Sequence, residues 1–261
     1  MGRIRRVEIG EATLIRGDAR VILPTLPPET AAMIFTDPPY GHNNNNNGDL
    51  IHRREAALGL APNDGSNPRP LANDGAEANN LVQWLFAEAA RVLKRDSCCC
   101  CCCGGGGPDP QFARWSLWMD ERLAFDQMIV WDKGKIGMGW RYRRSYETVL
   151  VGHRKGGKLA WFDTSRRIEN IIRPGDHGIR KIIPQKTDHP TPKPVELARH
   201  FIRLHTKPGD LVVDPFMGGG STALAAIAEG RRFLGVELDP GFFNMAVRRL
   251  RSGVVDLRQA A

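Results

Sequence analysis

The chain has 261 residues, of which 41% are hydrophobic and 25% charged, and a formal net charge of +8. That length accommodates one substantial domain with its own core, and the composition is that of an ordinary globular protein. No stretch reaches the roughly 20 apolar residues of a membrane span, which excludes a membrane partner, whereas the excess of Lys and Arg suits a polyanion such as nucleic acid.

The opening stretch, MGRIRRVEIG, is basic, but no long apolar segment follows, so no secretory signal is expected. Arg6 stands where an N-myristoylation motif needs Ser or Thr. A cytoplasmic location is the expectation. Residues 12–19, ATLIRGDA, read as a short strand ending in a turn, and residues 31–37, AAMIFTD, as a nearly continuous apolar strand of the kind found inside a parallel sheet. Residues 41–80 are rich in Asn, Gly, Pro and Asp and read as a long loop with a brief helix near 52–59.

Residues 80–95 carry apolar positions at helical spacing and a basic end, which predicts an amphipathic helix. All six cysteines follow as one run, Cys98 to Cys103. Adjacent positions on a strand face opposite ways, so neighbours in the run do not readily pair, and the spaced pairs of a zinc site are absent. Cysteine is a small residue that is often fully buried, so the run reads as a buried strand in a reducing compartment, with metal or redox chemistry as the alternative. A helix near 111–122 and strands at 125–133 and 146–154 come next, the two strands forming an antiparallel hairpin. Residues 173–194 are basic and loop-like. A helix over 195–206, a strand over 210–216, a glycine turn feeding a helix over 218–230, a strand over 231–239 and a helix over 240–252 complete the chain. Alternation of strands and helices argues for an α/β sheet.

Two stretches carry chemistry. At 37–40, Asp37-Pro38-Pro39-Tyr40 stops a buried strand on two prolines, which give no N–H to a sheet and fix the turn. At 214–222, DPFMGGGST places glycines between a strand and a helix, letting backbone approach a ligand beside free helix N–H groups. Glu237 ends the next strand, where an acid accepts ribose hydroxyls. Asp214 beside the turn repels a pyrophosphate but suits a cation, which favours S-adenosyl-L-methionine over NAD as cofactor.

Together with HPTPKP at 189–194, these stretches resemble the DNA amino-methyltransferase family, with the catalytic motif first and the cofactor motif last, as in its β-type order. The resemblance covers residues 12–40, 80–151 and 189–252. It implies a single domain over 1–261 with a Rossmann-like methyltransferase fold: a seven-stranded, mostly parallel sheet with helices on both faces. It also implies methyl transfer to an exocyclic amino group, adenine N6 first and cytosine N4 as the alternative.

By the same resemblance, Asp18 contacts the cofactor's adenine. Asp214, Pro215, Phe216, Gly218, Gly220 and Ser221 hold its methionine end, with Thr191 and Lys193 lining that side, and Glu237 takes the ribose. Asp37 and the Pro38 carbonyl each accept an N–H of the target amine, Pro39 stiffens the turn, and Tyr40 stacks on the base. No metal is called for. The partner is double-stranded DNA with the target base flipped out, and Arg141, Arg143 and Arg144 are expected to face phosphates. Residues 152–188 are a short candidate target-recognition insertion, so the enzyme reads few bases or recruits a second copy as a homodimer. A prokaryotic or phage origin, with or without a restriction partner, goes with such an enzyme. Carbon-5 methylation is disfavoured, because no Pro-Cys turn occurs and burial raises thiol pKa values. The remaining alternative is an inactive DNA-binding module, against which the intact Asp37, Tyr40 and glycine turn speak.

Overall fold

The computed structural model describes residues 4–41, 77–104, 110–134, 142–143, 145–176 and 193–259, with residues 254–259 described by backbone alone. The candidate helix near 52–59, Thr191, Arg141 and Arg144 lie outside these residues.

Nine strands form one sheet: β1 (Arg5–Ile9), β2 (Ala12–Arg16), β3 (Ala31–Thr36), β4 (Leu93–Cys103), β5 (Ala124–Asp132), β6 (Tyr146–His153), β7 (Ile171–Ile172), β8 (Leu211–Asp214) and β9 (Arg232–Glu237). Their order is β1-β2-β9-β8-β3-β4-β6-β5-β7. The seven expected strands are the centre of this sheet, and β1 and β7 extend its two edges. β1 reads poorly as a strand because Arg5, Arg6 and Glu8 leave only two apolar positions, and it holds its place by antiparallel pairing with β2. β7 is only two residues long.

The run β2-β9-β8-β3-β4 is parallel, and β6 pairs antiparallel with both β4 and β5. The predicted hairpin is therefore present, in register from Ala124 opposite His153 to Asp132 opposite Tyr146. β3 lies between two parallel neighbours and every residue of it is buried, which is why its sequence is apolar without alternation. Helices α1 (Ala19–Ile22), α2 (Ala78–Val92) and α3 (Gln111–Arg122) cover one face; α4 (Val195–His205), α5 (Ser221–Ala228) and α6 (Pro240–Gln259) cover the other. Helix α2 starts at Ala78, inside the segment read as loop, and runs straight into β4 at Leu93.

Cys98 to Cys103 lie within β4 and are fully buried, alternately facing the two helical layers. The segment after β6 crosses beneath the sheet: Leu159 bridges Ser97 at the start of the buried part of β4, and Phe162 N–H donates to the Leu204 carbonyl near the end of α4. β7 then runs parallel to β5, back toward the end of the sheet where β3 and β8 stop.

Candidate active site

Parallel strands β3 and β8 are neighbours, with Met33 opposite Val212 and Ile34 opposite Val213, so their carboxyl ends emerge side by side. The Asp37 turn follows one and the glycine turn follows the other. Two motifs separated by well over a hundred residues of chain thus share one edge, the place where open α/β sheets bind ligands. A direct bond joins them: the Thr36 hydroxyl donates to Asp214 Oδ1 at 2.8 Å, and both residues are buried.

Asp37 is held from two sides. Tyr40 Oη donates to its Oδ1 at 2.6 Å, and Lys193 Nζ lies 2.8 Å from its Oδ2. Lys193 also lies 3.0 Å from Glu147 Oε2 on β6 and 3.2 Å from the Tyr40 hydroxyl. Lys133, just past β5, pairs with the other Glu147 oxygen. Two lysines and two carboxylates therefore alternate across the ends of β3, β6 and β5. Burial opposes the Lys193 charge, but Asp37 and Glu147 outweigh it and hold the ammonium well above the usual lysine range. Burial likewise opposes charge on Glu147, yet Lys193 and Lys133 bring it down to about 2. Burial, then the Asp37 and Glu147 charges, push the Tyr40 phenol far up, so Tyr40 remains a donor to Asp37.

The Tyr40 ring is fixed as well. Trp115 meets it edge-on at 6.0 Å, Lys193 Nζ sits 5.2 Å from its centroid, and Gln111 on α3 donates to the Tyr40 carbonyl.

The glycine turn is built for close approach. Gly220 caps α5 at φ +80°, and a Cβ there would come within 3.0 Å of Ala246 Cβ. Gly218, at φ +49°, donates its N–H to Glu237 Oε2 at 2.9 Å, and Asp239 N–H donates to Oε1 at 2.7 Å. Ser221 is the first residue of α5, and Phe216 N–H returns to Asp214 Oδ1 at 3.1 Å across Pro215. Burial raises the pKa of Asp214 to about 6 and that of Glu237 to about 7. Two carboxylates, with no cation among their described partners, thus stand beside one turn.

Several expected residues have other engagements. Asp18 follows Gly17, whose N–H donates to the Glu237 carbonyl, so it does reach the glycine-turn end; its carboxylate caps α1 and pairs with Arg20 at 2.7 Å. Asp214, read as facing the ligand, turns its carboxylate inward and is 2% exposed. Lys193, expected beside the methionine end, has its ammonium on Asp37, Glu147 and Tyr40. Arg143 is exposed. Burial raises the thiols of Cys99 to Cys103 as expected, to about 12 at Cys103, but Cys98 departs. Against the effect of burial, bonding to Cys100 and the His205 ring bring it down to about 6. The sequence reading missed Glu147, Lys133, Gln111 and Thr36. The available signal was an acid in the otherwise apolar run YETVLV and a lysine ending the paired strand.

A mostly parallel Rossmann-like sheet with an acid-Pro-Pro-Tyr turn and a glycine turn on adjacent strands is the architecture of an S-adenosylmethionine-dependent methyltransferase. The family model described as DNA methylase, covering the N6 and N4 enzymes, matches residues 31–248. The chain belongs to this family. It is 27% identical over 271 aligned positions to the DNA adenine methyltransferase YhdJ of Escherichia coli K12, spanning 91% of this chain and 82% of that one. Among solved structures it is similar to the complex of M1.HpyAVI with SAM (24% identity, TM-score 0.62, 91% of this chain and 99% of that one). It is also similar to the cytosine-N4-specific PvuII DNA methyltransferase (18% identity, TM-score 0.65, 91% of this chain and 86% of that one).

Proposed function

We propose that this chain transfers a methyl group from S-adenosyl-L-methionine to the N6 amine of an adenine flipped out of double-stranded DNA. The observation that carries the proposal is the Thr36–Asp214 bond, which places the Asp37 turn beside the glycine turn at one edge. The choice of adenine rests on the acid before Pro38-Pro39 and on the name of the relative YhdJ. The fold of the PvuII enzyme keeps cytosine N4 as the second reading.

The residues fit the cofactor. The glycine turn leads into the α5 N–H groups, which begin at Gly220, and Glu237 stands where ribose hydroxyls would reach its carboxylate. Gly218, Gly220, Ser221, Pro215 and Phe216 would form the cradle and Asp18 its adenine end, with Thr191 and Lys193 beside the methionine end. Asp214 would act through its charge and by fixing the turn. When bound, the cofactor supplies an electrophilic methyl on a sulfonium.

The chain supplies direction to the amine, whose lone pair is otherwise delocalised into the base. One N–H would donate to Asp37 and the other to the Pro38 carbonyl, leaving the lone pair aimed at the methyl. The prolines and the Tyr40 and Lys193 contacts hold these acceptors in place before substrate arrives. Arrival of the amine requires Lys193 to yield on Asp37, and Glu147 is already within 3.0 Å to receive its ammonium. Positioning and electrostatics carry the rate. Exposed Arg143, with Arg141 and Arg144, would meet the DNA backbone, and residues 152–188 are the candidate target-recognition insertion, which would read few bases or recruit a second copy.

Nucleoside mass spectrometry on DNA incubated with the chain and S-adenosylmethionine tests this. N6-methyladenine is expected. N4-methylcytosine alone would establish the second reading, and neither product from the folded chain would overturn both.

A further inference from the structure

Cys98 and Cys100 lie two residues apart on β4, so their side chains share a face, and their sulfurs are 3.2 Å apart. His205, the last residue of α4, brings its ring to the same place. The two sulfurs and a ring nitrogen all lie within 4.8 Å of one another, and all three side chains are buried, with 0, 0 and 2% exposure. This group lies below the methyl-transfer edge, inside the sheet: Cys98 pairs with Met33 in the middle of β3 and Cys100 with Phe35, whereas Cys101 pairs with Thr36 at its top.

The ring is set as metal-binding imidazoles usually are. His205 Nδ1 lies 2.7 Å from the Ala160 carbonyl. A carbonyl only accepts, so Nδ1 carries the proton and Nε2 keeps its lone pair for the sulfurs' side. Phe201 stacks on the ring at 13°, and Trp161, itself 45% exposed, covers it edge-on at 5.4 Å. The ring therefore has little freedom to turn away. Two sulfurs and one imidazole nitrogen, with no carboxylate in the group, form a soft donor set. Zinc in a structural site takes four ligands, whereas monovalent copper is stable with three.

From this juxtaposition we propose that Cys98, Cys100 and His205 bind a monovalent copper ion in the interior of the fold, between β4 and the C-terminal end of α4. Binding exchanges the two thiol protons for the metal and leaves its oxidation state unchanged. The sulfurs, 3.2 Å apart, would need to separate to roughly 3.9 Å, the spacing of two thiolates about 2.3 Å from one ion in a trigonal shell. A bound ion would link β4, α4 and the segment at Ala160, and so stiffen that part of the fold without touching the reaction.

The test is an anaerobic titration of the full chain with Cu(I) against a chromophoric Cu(I) chelator. A single equivalent should be withdrawn from the chelator. Cys98→Val and His205→Phe should each weaken binding by at least about tenfold, while Cys99→Val, on the other face of the strand, should not. X-ray absorption at the copper edge then reads the ligands directly in the wild-type chain and does not depend on any variant folding. Two sulfur neighbours and one nitrogen are expected. No competitive binding, equal weakening by Cys99→Val, or a shell of sulfur alone would overturn the assignment. So would loss of two hydrogens in the mass of the air-exposed chain with a Cys98–Cys100 crosslink and no metal uptake, which would identify a redox pair instead.

Discussion

The Thr36 hydroxyl donates to Asp214 across 2.8 Å, joining the last residue of β3 to the last residue of β8. Thr36 precedes the Asp37 turn and Asp214 precedes the glycine turn, so this bond ties the proposed acceptor of the amine to the proposed cradle of the methyl donor. Thr36→Val keeps the shape and removes the donor. It should destabilise the fold by about 1–3 kcal/mol, because a buried carboxylate oxygen loses a partner. Chemical denaturation reads the stability, and kcat should fall more than cofactor affinity. An unchanged kcat would mean that the bond does not set the alignment.

On the proposed mechanism, Asp37→Ala removes an acceptor from the target amine. A loss of at least about a hundredfold in kcat is expected, by analogy with loss of one preorganised polar contact. Cofactor affinity, measured by calorimetry, should stay within a few-fold of the parent. A folded variant that no longer binds cofactor would move Asp37 out of the role assigned to it.

Lys193 and Glu147 form the buried half of the charge chain, with side-chain exposures of 12% and 18%. Lys193→Met strips Asp37 and Glu147 of a shared cation, and removing one partner of a buried pair costs on the order of 3 kcal/mol. Without the ammonium Glu147 loses the charge that contributes most to holding its pKa down, so it protonates more readily and the acid limb of the pH–rate profile should move to higher pH. Glu147→Gln leaves Lys193 fully committed to Asp37, and its main effect should be a raised KM for DNA as the amine competes less well. A rate profile that Lys193→Met leaves unmoved would refute the coupling.

Asp214 and Glu237 give a pH dependence of opposite origin. Their folded pKa values, about 6 and about 7, lie above the ordinary 3.8 and 4.5, chiefly through burial. Groups raised in this way favour the protonated form, so their contribution to stability is fully present below about pH 4 and is lost as pH rises through about 6 to 7. A neighbouring cation reverses that balance. Affinity for S-adenosylmethionine should therefore rise between about pH 5 and about pH 8, and more steeply than for S-adenosylhomocysteine, which lacks the sulfonium charge. Parallel slopes for the two ligands would show that the acids do not sense the sulfur.

The sheet was largely legible in the sequence because its central strands are buried on both faces and carry their apolar residues without interruption, as in AAMIFT and LVVD. β1 was not, since an edge strand flanked by Arg5 and Arg6 has little to bury. In the site, Asp37, Tyr40 and the glycine turn could be read because each sits in a short motif that reports its own geometry. Glu147 could not. Its importance comes from β6 lying beside β4 in space, and nothing local marks a strand glutamate as the partner of a lysine 46 positions on. Lys193 was found by its motif, but its contacts with Asp37, Glu147 and Tyr40 were not, because a loop lysine's partners depend on where the whole loop lands.

Alternation along β4 has one more consequence. Cys98, Cys100 and Cys102 pack into one helical layer and Cys99, Cys101 and Cys103 into the other. Sliding the strand by one residue would swap identical side chains between the layers, so the inside-outside code that normally selects strand alignment is silent here. Alignment has to be dictated from the flanks, by the irregularity between Ala31 and Met33 on β3 and by the Thr148 hydroxyl on the Cys103 carbonyl at 3.3 Å. A folding chain therefore meets an off-by-one competitor at its most deeply buried strand, and what separates the two outcomes is a handful of contacts at the strand's borders.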